Sequence, residues 1–115
     1  MPPGPHRLLL TATAIAALWC AATASPALAT DLAGPTIVLA RDFMFAPLSL
    51  SVTAGSTVTW TNKDDEPHTV VSDSGLFRSA AMDTNESFSF RFDKPGTYTY
   101  ACSIHPRMVG TIVVR

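Results

Sequence analysis

The sequence predicts an all-β fold, a β-sandwich of about seven short strands, on three observations. Apolar and polar residues alternate with a period of two in Leu48-Ser-Leu-Ser-Val52, Thr57-Val-Thr-Trp-Thr61, Ser87-Phe-Ser-Phe-Arg-Phe92 and Thr97-Tyr-Thr-Tyr-Ala101, the pattern of half-buried strands. Turn signals rich in Gly, Pro, Asp and Asn separate these runs at short intervals, as an all-β sandwich requires. No amphipathic helix, internal repeat or low-complexity segment interrupts them.

In chain order, Thr36-Ile-Val-Leu-Ala40 is a compact β-branched run and the first strand. Arg41 to Pro47 reads as irregular, with Phe43, Met44 and Phe45 ahead of a proline that breaks regular pairing. Leu48 to Val52 is the next strand. Thr53-Ala-Gly-Ser56 then turns the chain into Thr57 to Thr61, where Val58 and Trp60 share a face. Asn62-Lys-Asp-Asp-Glu-Pro67 is a polar loop, and His68-Thr-Val-Val-Ser72 resumes strand character. Asp73 to Asn85 reads as loop with one short turn of helix or strand. Ser87 to Phe92 sets three Phe on one face, Asp93-Lys-Pro-Gly96 is a turn, and Thr97 to Ala101 alternates through Tyr98 and Tyr100. Met108 to Val114 closes the domain. The expected inward set is Ile37, Leu39, Leu48, Leu50, Val52, Val58, Trp60, Val70, Phe88, Phe90, Phe92, Tyr98, Tyr100, Ile112 and Val114. Two sheets packed on that set leave the loops at two ends, and function is expected at one of them.

Residues 1–29 read as a signal peptide, and residues 30–115 as the domain. His6-Arg7 is a short basic start, Leu8 to Ala22 is uncharged, and Ala27-Leu28-Ala29 supplies the small-x-small cleavage pattern after Ser25-Pro26. The apolar run is shorter than the ~20 residues a membrane-spanning helix needs, so cleavage after Ala29 is expected in preference to an anchor. No Arg-Arg pair is present, which favours the general secretory route. A periplasmic or secreted protein, monomeric and without a membrane span once cleaved, follows as the expectation.

From Thr30 onward, seven basic side chains face nine acidic ones, a net charge of about −2 with no basic patch. Nucleic acid is excluded as a partner on that ground. Cysteine usage says more. With Cys20 removed, Cys102 is alone in an oxidising compartment, so it is a reactive thiol, an intermolecular bridge or a metal ligand. A small secreted domain usually carries a staple, and here a metal is the one on offer.

The chemistry gathers in Cys102-Ser-Ile-His105-Pro-Arg-Met108, a C-x2-H-x2-M loop between two strands, with His68 opening another strand far upstream. One thiolate, two imidazoles and one thioether are the soft and borderline donors of a blue-copper electron-transfer site, trigonal with a weak axial thioether. Zinc fits less well, because structural zinc sites use four strong ligands. Each residue also has a plainer reading. Cys102 can be a buried structural thiol and Met108 core filler, while His68 alone reads as a surface histidine. The combination in register outweighs them, and copper would employ both histidines found after Ala29.

The stretch Pro47-Leu-Ser-Leu-Ser-Val-Thr-Ala-Gly-Ser-Thr-Val-Thr-Trp-Thr-Asn62, then Pro67-His68, Pro95-Gly-Thr-Tyr-Thr-Tyr-Ala-Cys102 and the short loop to Met108 resemble a small cupredoxin of the amicyanin and plastocyanin group. The likeness covers nearly all of residues 36–115, and the two-and-two spacing is that of amicyanin. It implies a Greek-key sandwich, one copper ion held by His68, Cys102, His105 and Met108, and electron carriage by Cu(I)/Cu(II) cycling. A transient redox partner, a cytochrome or a dehydrogenase or oxidase, would dock at His105. Ile104 and Arg107 stand where amicyanin has Pro and Phe, which puts an amicyanin-specific partner in doubt.

Among the remaining residues, Met44 and Met82 read as packing, with Met82 alternatively at the rim of the site. Asp64-Asp65-Glu66 reads as a solvated loop, with a steering patch beside His68 as the alternative. Tyr98 is a sandwich-corner tyrosine or ordinary core. Thr69 and Ser103 flank ligands and are candidates to hydrogen-bond them. No catalysis is expected, because no open coordination position or spare acid or base accompanies the donors. The competing reading is a periplasmic copper-binding module for storage, delivery or tolerance, which would favour exposed Met- and His-rich ligands. Multicopper oxidases need further histidine clusters, and an immunoglobulin-like domain needs two cysteines across its sheets.

Overall fold

The computed structural model describes residues 36–115, together with Met1, Gly4, residues 14–17, Ala21 and Gly34. The expected signal peptide and its cleavage site lie outside the described residues, apart from those isolated positions. Among the described residues, no helix is long and apolar enough to cross a membrane.

Eight strands form the domain: β1 (Ile37–Arg41), β2 (Met44–Ala46), β3 (Ser49–Val52), β4 (Ser56–Asn62), β5 (Val71–Ser72), β6 (Ser87–Phe92), β7 (Gly96–Ala101) and β8 (Val109–Val114). They make two four-stranded sheets, ordered β2-β1-β4-β6 and β3-β8-β7-β5. β1 pairs with β4, and β3 with β8, in parallel; the other pairs are antiparallel. The chain therefore changes sheets repeatedly, and the all-β sandwich expected from sequence is the fold observed.

Trp60 stands at the centre of the core, fully buried, with Tyr100 edge-on at 5.4 Å and Phe77 tilted against it at 5.6 Å. Alternation placed Val58 and Trp60 on one face, and both are buried. Across the other sheet, Tyr100 pairs with Gly110 and lays its ring over it, so a Cβ at position 110 would run into the ring. Gly110 is the packing partner that lets Tyr100 lie flat. Tyr98 combines its two readings, half-buried against the core while its hydroxyl donates to the Lys94 carbonyl at 2.7 Å.

Several expectations change. There are eight strands rather than about seven, because β2 forms inside the stretch read as irregular. Of His68–Ser72 only Val71 and Ser72 form a strand, and His68 is held by a single bridge to Met82. On β1 the buried residues are Val38 and Ala40, whereas Ile37 is 55% exposed and Leu39 is only partly buried. The register sets that face: Val38 lies opposite Trp60 and Ala40 opposite Asn62, and a shift of one residue turns every side chain over. Leu48 is exposed just ahead of β3, while Phe45, Phe77 and Met82, absent from the expected inward set, are buried.

At one end of the sandwich three connections converge, residues 42–43, 63–70 and 102–108. Asn62, fully buried at the end of β4, organises the second of them. Its side-chain amide donates to the Glu66 and Met82 carbonyls at 2.7 and 2.9 Å, and its Oδ1 accepts the Asp64 N–H at 2.9 Å.

Candidate metal centre

Cys102 follows directly on β7, where its side chain falls on the same buried face as Tyr100. The loop after it closes on itself: the Cys102 N–H donates to the Met108 carbonyl and the Met108 N–H to the His105 carbonyl, both at 2.9 Å. The two-and-two spacing thus forms a tight loop with His105 at its turn and Met108 back at the sheet. His68 reaches the same place differently. Its N–H and carbonyl exchange hydrogen bonds with Met82 at 3.1 and 2.8 Å, which holds the backbone while the ring turns inward, fully buried.

The structure brings His68, Cys102 and His105 together, with one donor atom from each within 4.8 Å of the others. Cys102 Sγ lies 3.9 Å from His68 Nδ1 and 3.8 Å from His105 Nδ1. These separations fit a shared ion. Taking bond lengths of about 2.3 Å to sulfur and about 2.0 Å to nitrogen, a trigonal arrangement separates S from N by roughly 3.7 Å. Met108 is buried at the far end of the loop, and with Phe43, Ile104, His105, Pro106 and Arg107 it lines a shallow apolar depression over the site. Ile104 and Phe43 are each 48% exposed there.

The surroundings favour the thiolate. The Thr69 N–H donates to Cys102 Sγ at 3.3 Å, and the Thr69 hydroxyl accepts the Ser103 N–H at 2.7 Å and lies 2.8 Å from the Ser103 hydroxyl. Thr69 thus bonds the Cys102 sulfur directly, as its position suggested, whereas Ser103 bonds Thr69 rather than a ligand. Burial alone would push the Cys102 thiol up; the Thr69 N–H, the His105 side chain and N–H, and the His68 ring outweigh it and bring it down to about 6. A buried sulfur that sheds its proton this readily is suited to a cation.

Two functional residues escaped the sequence reading. Asp64, read as part of a solvated loop or of a steering patch beside His68, instead accepts a hydrogen bond from His68 Nε2 at 2.7 Å. Burial would raise its carboxyl, but the Phe43 N–H, the His68 ring and the Asp42 N–H hold it below the usual carboxylate range. Phe43 sets its ring edge-on to His68 at 5.5 Å and to His105 at 5.1 Å. Met82, read as packing, is buried and bridges His68 through its backbone.

A sandwich with one thiolate and two imidazoles gathered at one end defines the type 1 copper class, and a single copper ion is its cofactor. Comparison with known proteins agrees. A model of the cupredoxin-like domain matches residues 10–114. Amicyanin-alpha of Methylorubrum extorquens is 36% identical over 118 residues, covering 91% of this chain and 99% of its own. Plastocyanin of Scenedesmus fuscus is 36% identical over 96 residues, covering 70% of this chain and 98% of its own. Among solved structures, a purple cupredoxin from Nitrosopumilus maritimus matches with a TM-score of 0.65 at 33% identity, covering 69% of this chain and 98% of its own. A Cu(I) amicyanin variant matches with a TM-score of 0.66 at 31% identity, covering 69% and 80%. The chain belongs to the cupredoxin family, with relatives among the amicyanins and plastocyanins.

Proposed function

We propose that this protein is a one-electron carrier of the periplasm or extracellular space, whose copper would be held by Cys102, His68, His105 and Met108. The observation that carries the reading is the pair of S···N separations, 3.8 and 3.9 Å, about a buried sulfur whose surroundings favour thiolate. When bound, copper supplies a Cu(I)/Cu(II) couple. The protein's part is to hold the donors alike in both oxidation states, which the core behind β7 and β8 and the His68–Met82 bridge do. His105 lies at the rim, only partly buried, and is the edge through which a partner is reached. Encounters there are expected to be small and transient, as between redox partners generally, and no reaction is catalysed. Amicyanin and plastocyanin relatives support the carrier role, and the apolar segment before Ala29 supports export.

The purified chain with Cu(II) is expected to turn intensely coloured, bleach on reduction and recover on oxidation, followed by visible absorption. A colourless complex, or one that gives up its copper readily to a chelator, would count against electron carriage and for copper delivery. Cys102→Ser should abolish the colour entirely. Met108→Gln should keep copper and move the potential, and an unchanged potential would remove Met108 from the ligand set. Mass spectrometry of the exported protein should find Thr30 at its N-terminus.

A further inference from the structure

Ahead of His68 one carboxylate serves three partners. Asp64 Oδ2 lies 2.7 Å from His68 Nε2 and accepts the Phe43 N–H at 3.0 Å, while Oδ1 accepts the Asp42 N–H at 2.7 Å. Asp64 is itself held in place. Its N–H donates to the buried Asn62 Oδ1 at 2.9 Å, and its carbonyl accepts the Thr84 hydroxyl at 2.6 Å.

The two N–H donors belong to a turn whose second position disfavours the residue found there, Phe43. Asp42 and Phe43 connect β1 to β2 between the paired Arg41 and Met44, with φ of 53° and 56°. A two-residue hairpin turn with positive φ at both positions normally carries Asn-Gly or Asp-Gly. A bulky aromatic in that conformation is an outlier held by its surroundings. The Asp64 carboxylate is the group that holds it. The result is the placement of the Phe43 ring, edge-on to both imidazoles.

We propose that Asp64 is a positioning residue for the copper centre: one carboxylate fixes the tautomer of His68 and, through the strained Asp42–Phe43 turn, seats the Phe43 ring against both ligand histidines. The inference rests on the copper reading above. With Nε2 donating its proton to Asp64, His68 Nδ1 keeps its lone pair toward Cys102. The negative partner raises the basicity of that ligand and favours the more highly charged Cu(II). The same oxygens tie His68 to the Phe43 cover, so ligand and cover move together.

Three variants test this. Asp64→Asn keeps the shape but loses the charge and one acceptor oxygen; Asp64→Glu keeps both; Phe43→Ala removes only the ring. In the metal-free protein, nuclear magnetic resonance should show cross-peaks from the Phe43 ring to His68 and His105, with the His68 proton on Nε2. Asp64→Asn should lose most of that cross-peak intensity. With copper bound, Asp64→Asn should shift the couple toward Cu(I) by about tenfold, about 59 mV for one electron. Asp64→Glu should recover most of that shift, and Phe43→Ala should show a smaller one. Retained cross-peaks in Asp64→Asn, or a potential within about twofold of the parent, would overturn the proposal. Should Asp64→Asn not fold, the parent spectra decide, since a proton on Nδ1 or a Phe43 ring without both contacts also overturns it. A chain that binds no copper would sink the carrier reading while leaving the metal-free spectra to judge Asp64.

Discussion

The two histidines of the candidate site are the same donor on opposite footings. His68 is fully buried, bridged to Met82 through its backbone and bonded to Asp64 through its far nitrogen. His105 sits on a seven-residue loop that closes on itself and is pinned at its start by Thr69; it lies between the exposed Ile104 and Arg107 and is partly uncovered. Both place Nδ1 at nearly the same distance from Cys102. One side of the site is scaffold and the other is surface. A carrier benefits from the division, because the ligand geometry has to stay fixed while an edge stays reachable.

The largest expected effect comes from removing copper, which should loosen the two sides unequally. A ligand present at about a thousand times its Kd stabilises the folded state by about 4 kcal/mol, so the metal-free protein should melt well below the copper form. Hydrogen exchange should then speed up at the amides of Cys102, His105 and Met108, whose hydrogen bonds lie within the loop. The His68 and Met82 amides, bonded to each other across the bridge, should change little. Equal acceleration on both sides would break the distinction drawn here.

A middle-sized effect is expected from Arg107→Glu. Arg107 is exposed at the edge of the apolar depression around His105. Reversing its charge should change the association rate with a redox partner by up to about tenfold, in a salt-dependent way. The absorption spectrum should stay the same. Stopped-flow measurements at two ionic strengths would check this, and a changed spectrum would place Arg107 in the scaffold after all.

How much of this was legible in the sequence depended on how local each signal was. β3, β4, β6 and β7 show themselves by alternation because each has one face in the core. β1 is an unbroken apolar run, so nothing local says which face turns inward; the parallel register with β4 decides it. β2 is three residues long and exists through pairing with β1. Phe77 and Met82 sit in loop sequence and are buried by what folds over them. The site divides in the same way. Cys102, His105 and Met108 announce themselves by spacing, and His68 by the scarcity of histidine. Asp64 and Phe43 carry no such mark, since their roles arise from hydrogen bonds spanning 21 and 22 residues and a turn conformation invisible in residue type.

The smallest effect at neutral pH, and the one that isolates the scaffold, is that of Tyr100→Phe. Tyr100 precedes Cys102 by two residues on β7, fully within the core. Its hydroxyl has no hydrogen-bond partner, nor has Trp60 Nε1; the indole is near enough to act on it but falls short of a hydrogen-bonding geometry. Burial pushes this hydroxyl up to about 12, with Trp60 offsetting a little. Removing an unpaired buried hydroxyl at neutral pH should therefore change the stability of the metal-free protein by less than about 1 kcal/mol. The sign above neutrality follows from the raised value. Below about pH 10, the ordinary tyrosine value, folded and unfolded chains both keep the proton and stability does not depend on it. Between pH 10 and 12 the unfolded chain releases it first, so stability falls as pH rises, by up to about 2–3 kcal/mol at roughly 1.4 kcal/mol per unit. Tyr100→Phe lacks that loss. Denaturant melts of parent and variant should superimpose at pH 8 and separate above pH 10, with the variant the more stable. A large loss at pH 8 would mean that the hydroxyl is bonded and that the scaffold beneath Cys102 depends on it.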